Sequence, residues 1–165
     1  MADLIVIAFD TESEAAGAYA DVLQLNEDLV VELAGLALVT VDDHGKTHVQ
    51  TPNREGSVGY GVAGGALFGV LLGILFFVPI FGLVMGGALG ALFAGLDKTG
   101  INREFRDRVK QAVKSGKSAV VIYSRKITED KFAAALEGFH GTIVQTSLSS
   151  EEEKNLAHDL TGADN

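Results

Sequence analysis

Short β-branched and aliphatic runs alternate along the chain with stretches in which apolar side chains recur every three or four positions, and one long central stretch is apolar throughout. Leu4–Phe9 has the composition and length of a strand, and Thr11-Glu-Ser-Glu14 directly after it has the spacing of a capping box that opens a helix. That helix is predicted to run to about Leu25, with Ala15, Ala18, Tyr19, Val22 and Leu25 on one face. Leu36–Val41 predicts a strand, Asp42-Asp-His-Gly45 a hairpin turn with Gly45 at the left-handed position, and Thr47–Gln50 the returning strand. Pro52, Asn53 and Gly56 close the first half. In the second half, Ile101, Phe105, Val109, Ala112 and Val113 recur at helical spacing, and Gly116 stops that helix. Ala119–Tyr123 predicts a buried strand, Thr128 opens a helix carrying Phe132, Ala135, Leu136 and Phe139, Gly138 and Gly141 break it, and Thr142–Thr146 is the last strand.

The predicted order is β-α-β-β, apolar window, α-β-α-β, an α+β chain. With the window set aside, the first six elements match a ferredoxin-like split β-α-β sandwich, and one α-β unit is added. Leu4-Ile-Val-Ile and Ala119-Val-Val-Ile, each followed by a threonine-led helix, form a weak internal echo. Residues 1–55 and 97–148 are expected to form one discontinuous α/β domain, 56–96 an inserted helical hairpin, and 149–165 an acidic C-terminal tail.

The window runs from Gly56 to Leu96, 41 residues without a single Asp, Glu, Lys, Arg or His. One membrane helix needs about 20 such residues, and two need little more than this window supplies. Pro79 stands near the middle, where a helical hairpin would turn. Gly61, Gly65, Gly69 and Gly73 are spaced by four along the first arm, and Gly82, Gly86 and Gly90 along the second. Such rows make a smooth groove in which another backbone approaches closely, the way helices associate in lipid. Leu67, Val70, Leu71, Ile74, Leu83, Leu89 and Phe93 lie on the other side, suited to acyl chains. A hairpin buried inside a soluble oligomer fits the same pattern, because neighbouring subunits would cover helices that are apolar all round. A flexible linker does not fit, since linkers are polar.

Charge sharpens this picture. The chain of 165 residues carries a net charge of −9, but that excess belongs to residues 1–55, whereas 97–165 are balanced. A net acidity of this size argues against general nucleic-acid binding, which needs a basic footprint. Bases gather just after the window, at Lys98, Arg103, Arg106, Arg108, Lys110 and Lys114. With Arg54 before the window, Lys98, Arg103 and Arg106 are the residues expected to meet anionic lipid headgroups, and they predict that this flank stays in the cytoplasm. Asp3 stands where an export signal would carry positive charge, so the polar parts are expected on the cytoplasmic side of the membrane.

Candidate chemistry is sparse. The absence of cysteine excludes disulfides and thiolate ligands. His44 and His48 straddle a turn, His140 and His158 stand alone, and Asp42 and Asp43 read as turn formers. No glycine-rich phosphate loop and no nucleophile elbow is present. Neither a cofactor nor a catalytic constellation is expected.

The leading Asp-Leu-Ile-Val-Ile strand, the Val-Thr-Val-Asp-Asp-His-Gly-Lys hairpin, the glycine-rich insert with central Pro79, Lys98-Thr-Gly-Ile101, Lys117-Ser-Ala-Val-Val-Ile122 and Phe139-His-Gly-Thr-Ile-Val-Gln-Thr-Ser-Leu148 together resemble a bacterial domain-of-unknown-function family, number twelve-sixty-nine. The resemblance covers nearly the whole chain. It implies a membrane protein and brings no catalytic residues. The expected function is that of a membrane-anchored homo-oligomeric scaffold whose hairpin provides both insertion and subunit contacts. A soluble oligomer with buried hairpins, or a pore or lipid- or quinone-holding assembly, are the alternatives.

Overall fold

The computed structural model describes residues 2–51, 68, 71–73, 75–76, 98–114 and 117–152. Strand β1 (Ala2–Phe9) leads into helix α1 (Glu12–Glu27), strand β2 (Val31–Val41) and strand β3 (Thr47–Gln50). Beyond the window come helix α2 (Arg103–Ala112), strand β4 (Ser118–Ile127), helix α3 (Glu129–Leu136) and strand β5 (Thr142–Leu148). Local chemistry sets several of these boundaries. The Thr11 hydroxyl accepts from the Glu14 N–H at 3.2 Å, so the first half of the predicted capping box is in place. Asn102 starts α2 by accepting from the Phe105 N–H at 3.0 Å. Thr128 occupies the corresponding position before α3 but makes no side-chain cap bond. Gly45 turns the β2–β3 hairpin at φ 78°, as expected.

The strands form one antiparallel sheet in the order β3-β2-β4-β1-β5. A ferredoxin-like arrangement of the first six elements would place β3 between β1 and β2. β4 takes that place instead, and β3 lies at the edge. Burial explains the exchange: Ser118–Ser124 is buried on both faces, as its near-continuous apolar run demands, whereas β3 is short and largely exposed.

Alternate side chains of the sheet enter two cores. On one face Ile5, Ile7, Phe9, Leu36, Leu38, Val120 and Ile122 meet Ala15, Ala18, Tyr19, Val22 and Leu25 of α1, with Phe132 and Leu136 of α3 at the margin. On the other face Leu4, Val6, Ala37, Val39, Val121 and Tyr123 meet Ile101, Phe105, Val109 and Val113 around α2, together with Phe68, Leu71, Leu72 and Leu75 from the window. The result is three layers, with the sheet in the middle.

β2 reaches further back than Leu36 because a bulge interrupts its alternation. Leu33 pairs with Ser124 and Gly35 with Tyr123, which leaves Ala34 as the extra residue. Leu33 therefore faces α1, and beyond the bulge Leu36 and Leu38 do so as well. At the end of α1, the Val30 N–H reaches back to the Leu25 carbonyl at 2.9 Å, which forces Leu29 to φ 60° with its side chain 87% exposed. Glycine is the usual occupant of that position.

Candidate functional site

The described part of the window is helical at 68, 71–73, 75 and 76. Phe68, Leu71, Leu72 and Leu75 fall at the i, i+3, i+4, i+7 spacing of one helix stripe, and all four are buried in the core against the sheet. Burial of each contributes about 1.5–3 kcal/mol, so docking of this stripe is comparable with the whole stability of an ordinary domain. The Phe68 ring stacks on the buried Tyr123 ring, with centroids 6.3 Å apart and planes 11° apart. Gly35 makes room for it: a Cβ there would lie 2.6 Å from Phe68 Cδ2 and 2.7 Å from Cδ1. The glycine serves space and not conformation, since its φ is not in the left-handed region.

This placement corrects one expectation. Leu71 does not face acyl chains; it is wholly buried against the sheet, because the sheet's second apolar face needs a cover that α2 alone does not provide. Part of segment 56–96 thus belongs to the core of the α/β domain. Gly73 of the predicted glycine row points away from that core, and among the described residues nothing stands within 4 Å of where its Cβ would be. Gly61, Gly65, Gly69, Gly82, Gly86, Gly90, Pro79 and Arg54 lie outside the described residues. Among the described residues, no helix is long and apolar enough to cross a membrane.

The basic flank divides in two. Lys98 is exposed in a turn and Arg103 is 83% exposed, its side chain loosely paired with Asp107 at 3.9 Å. Arg106, expected among the headgroup contacts, is only 9% exposed, and its Nη1 donates to the Ile101 carbonyl at 3.0 Å. It anchors the loop before α2 to the helix and is unavailable to a surface. Among the described residues no group of three or more His, Asp or Glu side chains is placed to hold a metal ion. His48 instead sits 3.4 Å from Asp42, whose other carboxylate oxygen accepts from the His44 and Lys46 N–H groups at 2.9 and 2.8 Å. Those backbone bonds, that of Lys46 foremost, lower the Asp42 pKa.

Sequence reasoning missed a cleft of about 470 Å³ between α3 and the β1–β5 side of the sheet. Helix α3 has no fully buried residue: Phe132, Ala135 and Leu136 pack only partly buried against the core, so the helix covers this side of the sheet incompletely. Phe139, just beyond α3, is held edge-to-face on Phe9 at 6.2 Å. Ile143, 57% exposed, lies in the floor. The signal for this cleft is an aliphatic residue on the outer strand opposite a helix of only eight residues, which no periodicity singles out.

A family described as protein of unknown function matches residues 62–161, a span that takes in α2, β4, α3 and β5. No curated relative and no solved structure matches the chain.

Proposed function

Because the chain belongs to the DUF1269 family, whose description assigns no activity, we propose a role that rests on the placement of its apolar window: a self-associating structural protein that performs no catalytic step. The first arm acts as a layer of the α/β domain through Phe68, Leu71, Leu72 and Leu75. The remaining circumference of the window, including the glycine row that passes through Gly73, makes the contacts between copies. The observation that carries this reading is the burial of that single stripe inside a window that is apolar all round. A helix apolar on every side that spends one stripe on its own sheet still has apolar faces to cover.

Insertion of those faces into the cytoplasmic membrane is the second reading. It is favoured by the 41-residue charge-free length and by the exposed Lys98 and Arg103 just beyond it, which suit anionic lipid. Alkaline carbonate extraction followed by sedimentation with and without detergent separates the two. Self-association alone predicts a carbonate-soluble oligomer; retention in the pellet until detergent is added supports insertion. Replacing Gly69 and Gly86 by Leu should dissociate the oligomer while the circular dichroism of the α/β domain is unchanged. An oligomer of unaltered size would refute the role of the glycine rows.

For the fold, the reading is a ferredoxin-like domain assembled from β1-α1-β2 and β4-α3-β5. The order β2-β4-β1-β5 and the common face of α1 and α3 support it. β3, the window and α2 are then one long insertion between its second and third core strands.

A further inference from the structure

We propose that the cleft beneath α3 is a binding site for a small organic cation with an apolar body, an aryl- or alkylammonium. Its volume, about 470 Å³, lies within the range of small-molecule sites. The walls are apolar: Ile5 and Ile143 from the sheet, and Phe132, Leu136 and Phe139 from α3 and the turn after it. Three carboxylates, Asp3, Glu129 and Glu137, stand in the same lining, and no Lys, Arg or His does. Among the described residues none of the three is engaged in an ion pair, and Asp3 spends one oxygen on the Ser147 hydroxyl at 2.6 Å. Glu129 and Glu137 are exposed and Asp3 is half-buried, so the acids stand where water also reaches them, and their shared negative charge disfavours anions and favours a cation. An ammonium group pairs with one of these acids, and Phe132 and Phe139 in the same lining supply aromatic rings, which attract cations.

The cleft is independent of the window, being on the opposite face of the sheet. Gly141, in the loop between α3 and β5, lies close against β1: a Cβ there would lie 2.6 Å from Ile7 Cγ2 and 2.9 Å from Phe9 Cε1. That loop is thereby drawn against the sheet, while Phe132 and Leu136 of α3 are only partly buried against the core.

The test is calorimetric titration of the full chain with phenethylammonium, alongside 2-phenylethanol and phenylacetate, which keep the apolar body and change the charge. The expected result is saturable binding of the cation with Kd below about 1 mM, binding of the alcohol at least tenfold weaker, and no binding of the carboxylate. Glu137→Gln should weaken the cation at least threefold, and Ile143→Trp, which fills the floor at an exposed position, should abolish binding with the thermal melt unchanged. Equal binding of cation and alcohol, or cation binding undiminished in Ile143→Trp, would overturn the proposal. Concentration-dependent shifts of the Phe132 and Ile143 amides without any probe would also overturn it, by assigning the cleft to a second copy of the chain.

Discussion

Replacing Gly35 by Ala tests the docking of the window on the sheet at its tightest point. The backbone of Gly35 accepts alanine without strain, so the effect is one of space alone. The new methyl would lie 2.6 and 2.7 Å from two Phe68 ring carbons, where ordinary carbon contacts begin near 3.5 Å. The ring must retreat by about 1 Å, giving up part of its stack on Tyr123, and overpacking of this kind costs about 1–3 kcal/mol. Phe68→Ala on its own leaves a cavity and should cost about 3–5 kcal/mol. In that background Gly35→Ala meets nothing and should be neutral or slightly stabilising, as glycine replacements at compatible positions are. The double-mutant cycle in urea, followed by circular dichroism, should therefore return a coupling energy of at least about 1 kcal/mol. A penalty for Gly35→Ala that is the same with and without the Phe68 ring would refute the packing argument.

Leu29→Gly should raise the urea midpoint: relief of left-handed strain, about 1–2 kcal/mol, outweighs the added freedom of the unfolded chain, about 0.5–1 kcal/mol, and the exposed side chain forfeits no burial; a lower midpoint would contradict this. The carboxyl of Asp42, with its pKa depressed below the ordinary 3.8 by backbone hydrogen bonds, stabilises the β2–β3 turn at all pH values above that figure, and the contribution is lost as pH falls through the lowered pKa. The His44 and Lys46 amide resonances should report a midpoint below 3.8, and one at or above it would disprove the turn geometry. Asn102→Ala should lower stability by about 1 kcal/mol through loss of the cap on α2, whereas Asn102→Asp should restore most of it; equal losses in thermal melts would show that the cap bond contributes nothing.

The elements that depend on neighbouring residues were legible in the chain. Thr11 and Glu14 announce α1, Gly45 the hairpin, and the Ile101–Val113 stripe the inner face of α2. What depended on partners far away in sequence was not. The pattern of Thr47–Gln50 identifies a strand but not its neighbours, and the place between β1 and β2 went to β4 and not to β3 because β4 is apolar on both sides and β3 is largely exposed. Arg106 reads as one of five bases on a helix surface, and its bond to the Ile101 carbonyl follows from the path of the loop before the helix. The window, apolar all round, carries no moment that could tell which stripe meets the sheet. The clue was across the fold, in the isolated Gly35 of β2, a residue that marks close approach when it interrupts a strand.

The strand order also bears on how the molecule comes into being. β1 and β2 leave the ribosome first, yet they do not touch each other; the strand that joins them, β4, is encoded only after the whole window. At roughly 5–20 residues per second, the nascent chain spends several seconds with β1 unpaired, β2 paired only to the short β3, and 41 uncharged residues already synthesised. The sheet that covers the Phe68, Leu71, Leu72 and Leu75 stripe is thus completed only after that stripe has been synthesised.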